Sequence, residues 1–144
     1  QNLTKFTAWF GMTTMVMRLI TQIRQMIGYV KELDTAMVNL KKVTDETDQV
    51  YQRFFERAGK SAQALHANMA NVITATADFA KLGYSIGESE QLAKAAIVYQ
   101  NVGEISDISE ASKSIISTMK AFGIEAKDVM QIVDKFNKVG TFVA

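Results

Sequence analysis

Residues 9–40 read WFGMTTMVMRLITQIRQMIGYVKELDTAMVNL, with apolar positions in strict three-four steps: Trp9, Met12, Val16, Leu19, Ile23, Met26, Val30, Leu33, Met37 and Leu40. That spacing keeps one seam on one side of a helix for more than four heptads. It describes a helix made to lie along other helices. The a-type residues Val16, Ile23 and Val30 are β-branched and the d-type residues lean to Leu, which favours a parallel dimer. The flanks do not suit a simple zipper, because Ile20, Ile27, Met15 and Tyr29 stand where a two-stranded coil carries charges. The stripe is therefore wide enough to touch at least two neighbours. Burying the ten seam residues is worth on the order of 15–30 kcal/mol gross, so they are expected to be covered.

Outward from that helix, composition sets the frame. At 144 residues the chain has single-domain size, and a net charge of +1 exerts no general pull on nucleic acid or membrane. Residues 1–42 hold six Lys/Arg against Glu32 and Asp34, while residues 43–144 hold ten against thirteen acids. Arg18, Arg24 and Lys31 are single charges on the rim of an apolar helix, too diffuse for a sequence-specific nucleic-acid patch. Without Cys there is no disulfide framework or thiolate site, and without Pro long helices run uninterrupted. The uncharged run Phe6–Met17 spans 12 residues, short of the roughly 20 that cross a bilayer, and Arg18 ends it. The chain opens at Gln1 rather than Met and is expected to be a piece of a longer polypeptide.

The pattern predicts an all-α chain: a long N-terminal heptad helix over 1–43, followed by stacked helical hairpins over 44–144. The first helix breaks at Thr44-Asp45-Glu46-Thr47. A second runs from about Thr47 to Ala58 with Val50, Phe54 and Phe55 as its apolar face and Gly59 as its stop. Lys60–Asn68 fits either a helical extension through Ala62, Leu65 and Met69 or a linker with a turn. From about residue 69 a unit of ~40 residues occurs twice. Val72, Ala75, Phe79 and Leu82 end at Gly83; Ile108, Ala111, Ile115, Met119 and Phe122 end at Gly123, 40 residues on. Leu92, Ala95, Ala96, Tyr99, Val102 and Gly103 correspond to Val129, Ile132, Val133, Phe136, Val139 and Gly140, spaced by 37. Each Gly suits a left-handed C′ position. Ser85-Ile-Gly-Glu88 and Asp107-Ile-Ser-Glu110 have capping-box spacing, and Ile124 with Val129 forms a hydrophobic staple around a start near Glu125. Hairpins of this kind bury their faces only by stacking on neighbours.

Chemistry has few candidates. His66, the sole histidine, has no Cys and no carboxylate at helical spacing. Glu88 and Glu90, two apart, point to different sides of a helix and make poor acid–base partners. Asp45, Glu46 and Asp48 lack the Gly and distal Glu of a calcium loop and suit a helix start. No phosphate-cradling glycine pattern occurs, and Ser61 has no partner base. The expectation is a non-enzyme without catalytic, cofactor-binding or metal-ligating residues. The candidate functional residues are instead a self-association seam of Val16, Leu19, Ile23, Met26, Val30, Leu33, Met37 and Leu40. Phe6, Trp9, Phe10, Ile20 and Ile27 are candidates for membrane contact.

An ordered set of segments resembles the conserved region of phage tail tape-measure proteins. It begins with Val30-Lys-Glu-Leu-Asp-Thr-Ala-Met-Val-Asn-Leu-Lys-Lys-Val-Thr-Asp45. It continues through Ala77-Asp-Phe-Ala-Lys-Leu-Gly-Tyr-Ser-Ile86, Glu90-Gln-Leu-Ala-Lys-Ala95 and Asp107-Ile-Ser-Glu-Ala111, then Met119-Lys-Ala-Phe-Gly123 and Ile132-Val-Asp-Lys-Phe-Asn137. The set covers roughly residues 28–140. The resemblance implies a structural role: a long helical polypeptide around which the tail tube polymerises, whose length sets tail length, and which leaves ahead of DNA at infection. It implies a small homo-oligomer, with tail tube, tail tip and tail assembly chaperone proteins as partners. The implied location is the phage tail lumen in the virion, and the host cytoplasm during assembly. The length-measuring part is expected outside this piece. Glu125 stands where the family tends to carry Ser or Thr, a departure that affects capping alone. Two other readings remain open: a membrane-active segment aiding genome passage across the envelope, and a generic helical-repeat protein-binding module.

Overall fold

The computed structural model describes residues 2–129, 131, 132 and 135, with side chains from Thr14 onward except Met15. The chain is all-helical as described, without strands among those residues. Helix α1 spans Asn2–Val43, α2 Asp48–Ala64, α3 Met69–Ala80, α4 Ile86–Val102 and α5 Ile108–Phe122. A sixth helix, α6, begins at 126, with 131, 132 and 135 also helical. Two compact units divide within α1, at Asp34 and Thr35. The first contains only α1 residues among those described. The second holds the end of α1 and the hairpin array.

Within the second unit α3 and α4 form the central hairpin, α5 packs on both, and α2 lies against α3 and the edge of α4. Small residues let these axes come close: Ala75, Ala77 and Ala80 of α3 and Ala93, Ala95 and Ala96 of α4 are buried. Phe54, Phe79, Leu40, Ile73, Leu92, Ile97 and Val72 fill the remaining space. Among the described residues three hydroxyl side chains are fully buried, and each is satisfied within the core. Thr76 Oγ1 donates to the Val72 carbonyl at 2.8 Å, Ser112 Oγ to that of Ile108 at 3.0 Å, and Ser89 Oγ to that of Tyr84 at 3.4 Å. Among the described residues no buried side-chain nitrogen or oxygen lacks a partner.

Cap chemistry explains most boundaries. Thr47 accepts the Val50 N–H, Asn68 the Ala70 N–H and Asp107 the Ser109 N–H. Ser85 and Glu88 close a full capping box: Ser85 Oγ accepts the Glu88 N–H and Glu88 Oε2 accepts the Ser85 N–H at 3.0 Å. Gly83 at φ 92° and Gly123 at φ 62° take the left-handed turns expected of them. Gly103 does not. It lies at φ −86°, and the neighbouring Glu104 turns left-handed at φ 51°, with Ile105 N–H reaching back to the Gln100 carbonyl. Gly59 does not stop α2 either. The helix runs through to Ala64 because Ala58, Ser61 and Ala62 continue the buried face begun by Tyr51 and Phe54. That face replaces the expected one, since Val50 is half-buried and Phe55 is 37% exposed. Lys60–Asn68 thus divides into a helical extension and a turn, where His66 takes the left-handed position at φ 50°.

The corner between α1 and α2 is tied by one phenol. Thr44 Oγ1 donates to the Leu40 carbonyl at 2.8 Å. The buried Tyr51 hydroxyl lies 2.8 Å from that Oγ1 and 3.2 Å from the Thr44 carbonyl, and accepts the Glu46 N–H at 3.2 Å. With the threonine proton engaged, the single phenolic proton is shared between the two Thr44 oxygens. Lys41 sits over the Tyr51 ring, Nζ 5.1 Å from its centre and 3.8 Å from Asp48 Oδ1.

Candidate functional site

The heptad residues of α1 fall into two classes. Leu40 and Ala36 are buried in the second unit, and Leu33 and Met37 are half-buried. Val16, Leu19, Ile23, Met26 and Val30 are exposed, from 46% at Ile23 to 67% at Met26. The seam as a whole was expected to be covered. In a unit whose described part is a single helix, it has no other element to pack against. Ile20 and Ile27, from the candidate membrane-contact set, are exposed beside it. Phe6, Trp9 and Phe10 of that set have side chains outside the described residues, as does Met12 of the heptad pattern. The outcome is a helical stretch whose apolar stripe faces water along residues 16–30. Patches of this kind mark interaction surfaces.

A second apolar surface lies on the array. Val98, Tyr99 and Val102 of α4, Ile115 and Met119 of α5, and Ile124, Val129 and Ile132 after it line a groove of about 280 Å³. Ile124 and Val129, the two residues of the expected staple, both line it. Leu82 and Phe122, equivalent last residues before Gly83 and Gly123, are both exposed, Phe122 at 77%. Tyr99 and Val102 likewise extend the face of α4 beyond its buried part. Their expected counterparts Val133, Phe136, Val139 and Gly140 lie outside the described residues.

The polar groups engage one another within the fold. Glu88 is held by Ser85, whose hydroxyl donates at 2.8 Å, and those hydrogen bonds keep its carboxyl below the usual range. Glu90 points the other way into α2, where Arg57 Nε meets its Oε2 at 2.9 Å. Glu125 pairs with Lys127 at 2.6 Å, which lowers the carboxyl and raises the ammonium. Asp78 Oδ2 accepts from Ser109 Oγ at 2.8 Å, linking α3 to α5, and Asn101 Nδ2 donates to the Leu65 carbonyl, linking α4 to the end of α2. His66 is exposed. Among the described residues no three His, Cys, Asp or Glu are grouped to hold a metal, and no helix is long and apolar enough to cross a membrane. The inter-helix links were missed in the sequence because their partners lie 31–36 residues apart.

No family model and no solved structure matches the chain.

Proposed function

We propose that this chain is a structural part of a phage tail tape-measure protein, serving tail-tube assembly and tail-length determination and released during DNA ejection. The observation that carries this reading is the exposed heptad stripe Val16–Val30 on a helix that ends in a compact helical array. Such a stripe needs other helices to cover it, which suits a polypeptide that works within an assembly. The resembling segments along residues 28–140 supply the tail context. Its partners on this reading are further copies of itself and the tail tube, tip and chaperone proteins. The reading assigns no catalysis to any residue.

Electron microscopy of particles from a strain whose parent gene carries Ile23→Asp and Val30→Asp tests the proposal. Tailless capsids or stubby, irregular tails are the expected result. Normal, infective particles would remove the stripe from any tail role.

A second reading is favoured by Ile20 and Ile27, 40% and 62% exposed, with Arg24 on the same side of the helix. Apolar side chains edged by a cation suit an anionic bilayer surface. Vesicle leakage that disappears on Ile20→Asp and Ile27→Asp would support this role at ejection; intact vesicles at every lipid composition would end it.

A further inference from the structure

We propose that the outward row of α2, formed by Arg53, Arg57 and Lys60, docks an acidic helix of a partner protein. The buried side of α2 is fixed by Tyr51, Phe54, Ala58 and Ala62. Arg53, Arg57 and Lys60 are exposed and stand four and three residues apart, so they share one side of the helix. Between residues 49 and 64 the only acid is Glu56. Among the described residues Arg53, Glu56 and Lys60 take part in no ion pair, so the row is not neutralised within the fold.

Arg57 separates this row from an ordinary solvated charge run. Its Nε donates to Glu90 Oε2 at 2.9 Å, and that carboxylate side chain is 5% exposed on α4. The two Nη groups carry no hydrogen bond among the described residues, and the arginine side chain remains 48% exposed. A guanidinium held through Nε has given up much of its rotamer freedom before any partner arrives. It presents a fixed pair of N–H donors, the fork that an incoming carboxylate matches.

Helix geometry selects a second helix as the bearer of those carboxylates. At 1.5 Å per residue the three cations stand about 6 Å and 4.5 Å apart along the axis. Acids at i, i+4 and i+7 of a partner helix repeat those intervals, and i, i+3 and i+7 do so when it runs the other way. A nucleic-acid backbone fits less well. The row is about 10 Å long, Glu56 lies beside it, and the chain's net charge is +1, which gives no extended positive field.

The test uses the full chain and a labelled helical peptide with glutamates at i, i+3, i+4 and i+7, read by fluorescence anisotropy at low ionic strength. Two comparison probes are a peptide of the same composition with its glutamates spread around the helix, and a DNA duplex. The one-face peptide is expected to bind about tenfold more tightly than either, and rising salt should weaken it. Arg53→Gln with Lys60→Gln should cost about tenfold in affinity. Arg57→Lys, which keeps the charge and loses the fork, should cost several-fold. Thermal melting confirms that each variant is folded; the Arg53→Gln, Lys60→Gln pair lies outside the core and decides the matter if Arg57→Lys does not fold. Equal binding of the two peptides, tighter binding of the duplex, or no binding of the one-face peptide overturns the proposal. So does an affinity that ignores the two glutamines, or a folded Arg57→Lys variant that binds like the wild type.

Discussion

Arg57 Nε lies 2.9 Å from Glu90 Oε2, joining α2 to α4 across a carboxylate whose side chain is 5% exposed while the guanidinium side remains 48% exposed. A carboxylate that deep is stable in its place only with a charge-assisted partner.

Arg57→Ala leaves that carboxylate buried and unpaired. It should destabilise the array by about 1–3 kcal/mol, below the full value for a dry ion pair because the arginine is half in water. Glu90→Gln, which keeps the shape and a hydrogen-bonding oxygen, should be milder. Urea unfolding midpoints of the two variants rank them directly.

Glu104 occupies a left-handed backbone position at φ 51°, directly after a glycine that does not use one. Glu104→Gly should therefore stabilise the chain by about 0.5–1 kcal/mol, relief of the Cβ clash outweighing the added freedom of the unfolded chain. Gly83→Ala should do the reverse by a similar amount. Nothing lies within 4 Å of a Cβ built at Gly83, so the loss would come from its φ of 92° alone. Paired thermal melts check both signs.

Glu88 contributes a pH dependence of defined sign. Ser85 holds the folded carboxyl below its ordinary value, so the group adds stability above the unfolded pKa of about 4.3 and loses it as pH falls through the folded one. Glu88→Gln should flatten the acid limb of the stability curve below about pH 5 and leave its neutral shape otherwise similar. Denaturant midpoints measured from pH 7 to pH 3 on both proteins settle the difference.

Tyr51→Phe removes the phenol that ties the α1–α2 corner while keeping the ring in the core. A loss of about 1 kcal/mol is expected, with faster amide exchange at Glu46, whose N–H the phenol accepts at 3.2 Å. Unchanged exchange there would mean that water replaces the phenol without consequence.

The all-α class and the end of α1 at Val43 were legible because both rest on local patterns: the heptad repeat, and the polar cluster after it. The Ser85–Glu88 capping box and the left-handed glycines 83 and 123 were legible for the same reason. Gly59 misled because a glycine signals a helix end only when the next residues have no face to bury, and Ala58, Ser61 and Ala62 had one. Gly103 misled because the turn advanced by one residue, onto Glu104. The seam was read as a single unit, since its periodicity is uniform. That Leu40 would be enclosed while Val30 stays exposed was not legible, because the two occupy equivalent places in one periodicity and no pattern within α1 tells them apart.

Because α1 continues past Thr35 into the second unit, a pull on the chain from its N-terminal side enters that unit through a helix. Tension drawn along that helix from its N-terminal side arrives at Leu40 and at the Thr44–Tyr51 corner before it reaches the α3–α4 hairpin. The corner is a short set of hydrogen bonds and the hairpin a broad apolar contact, so the corner is the fuse of the structure. Pulled chains should peel there first, releasing a further length of polypeptide while α3, α4 and α5 remain docked.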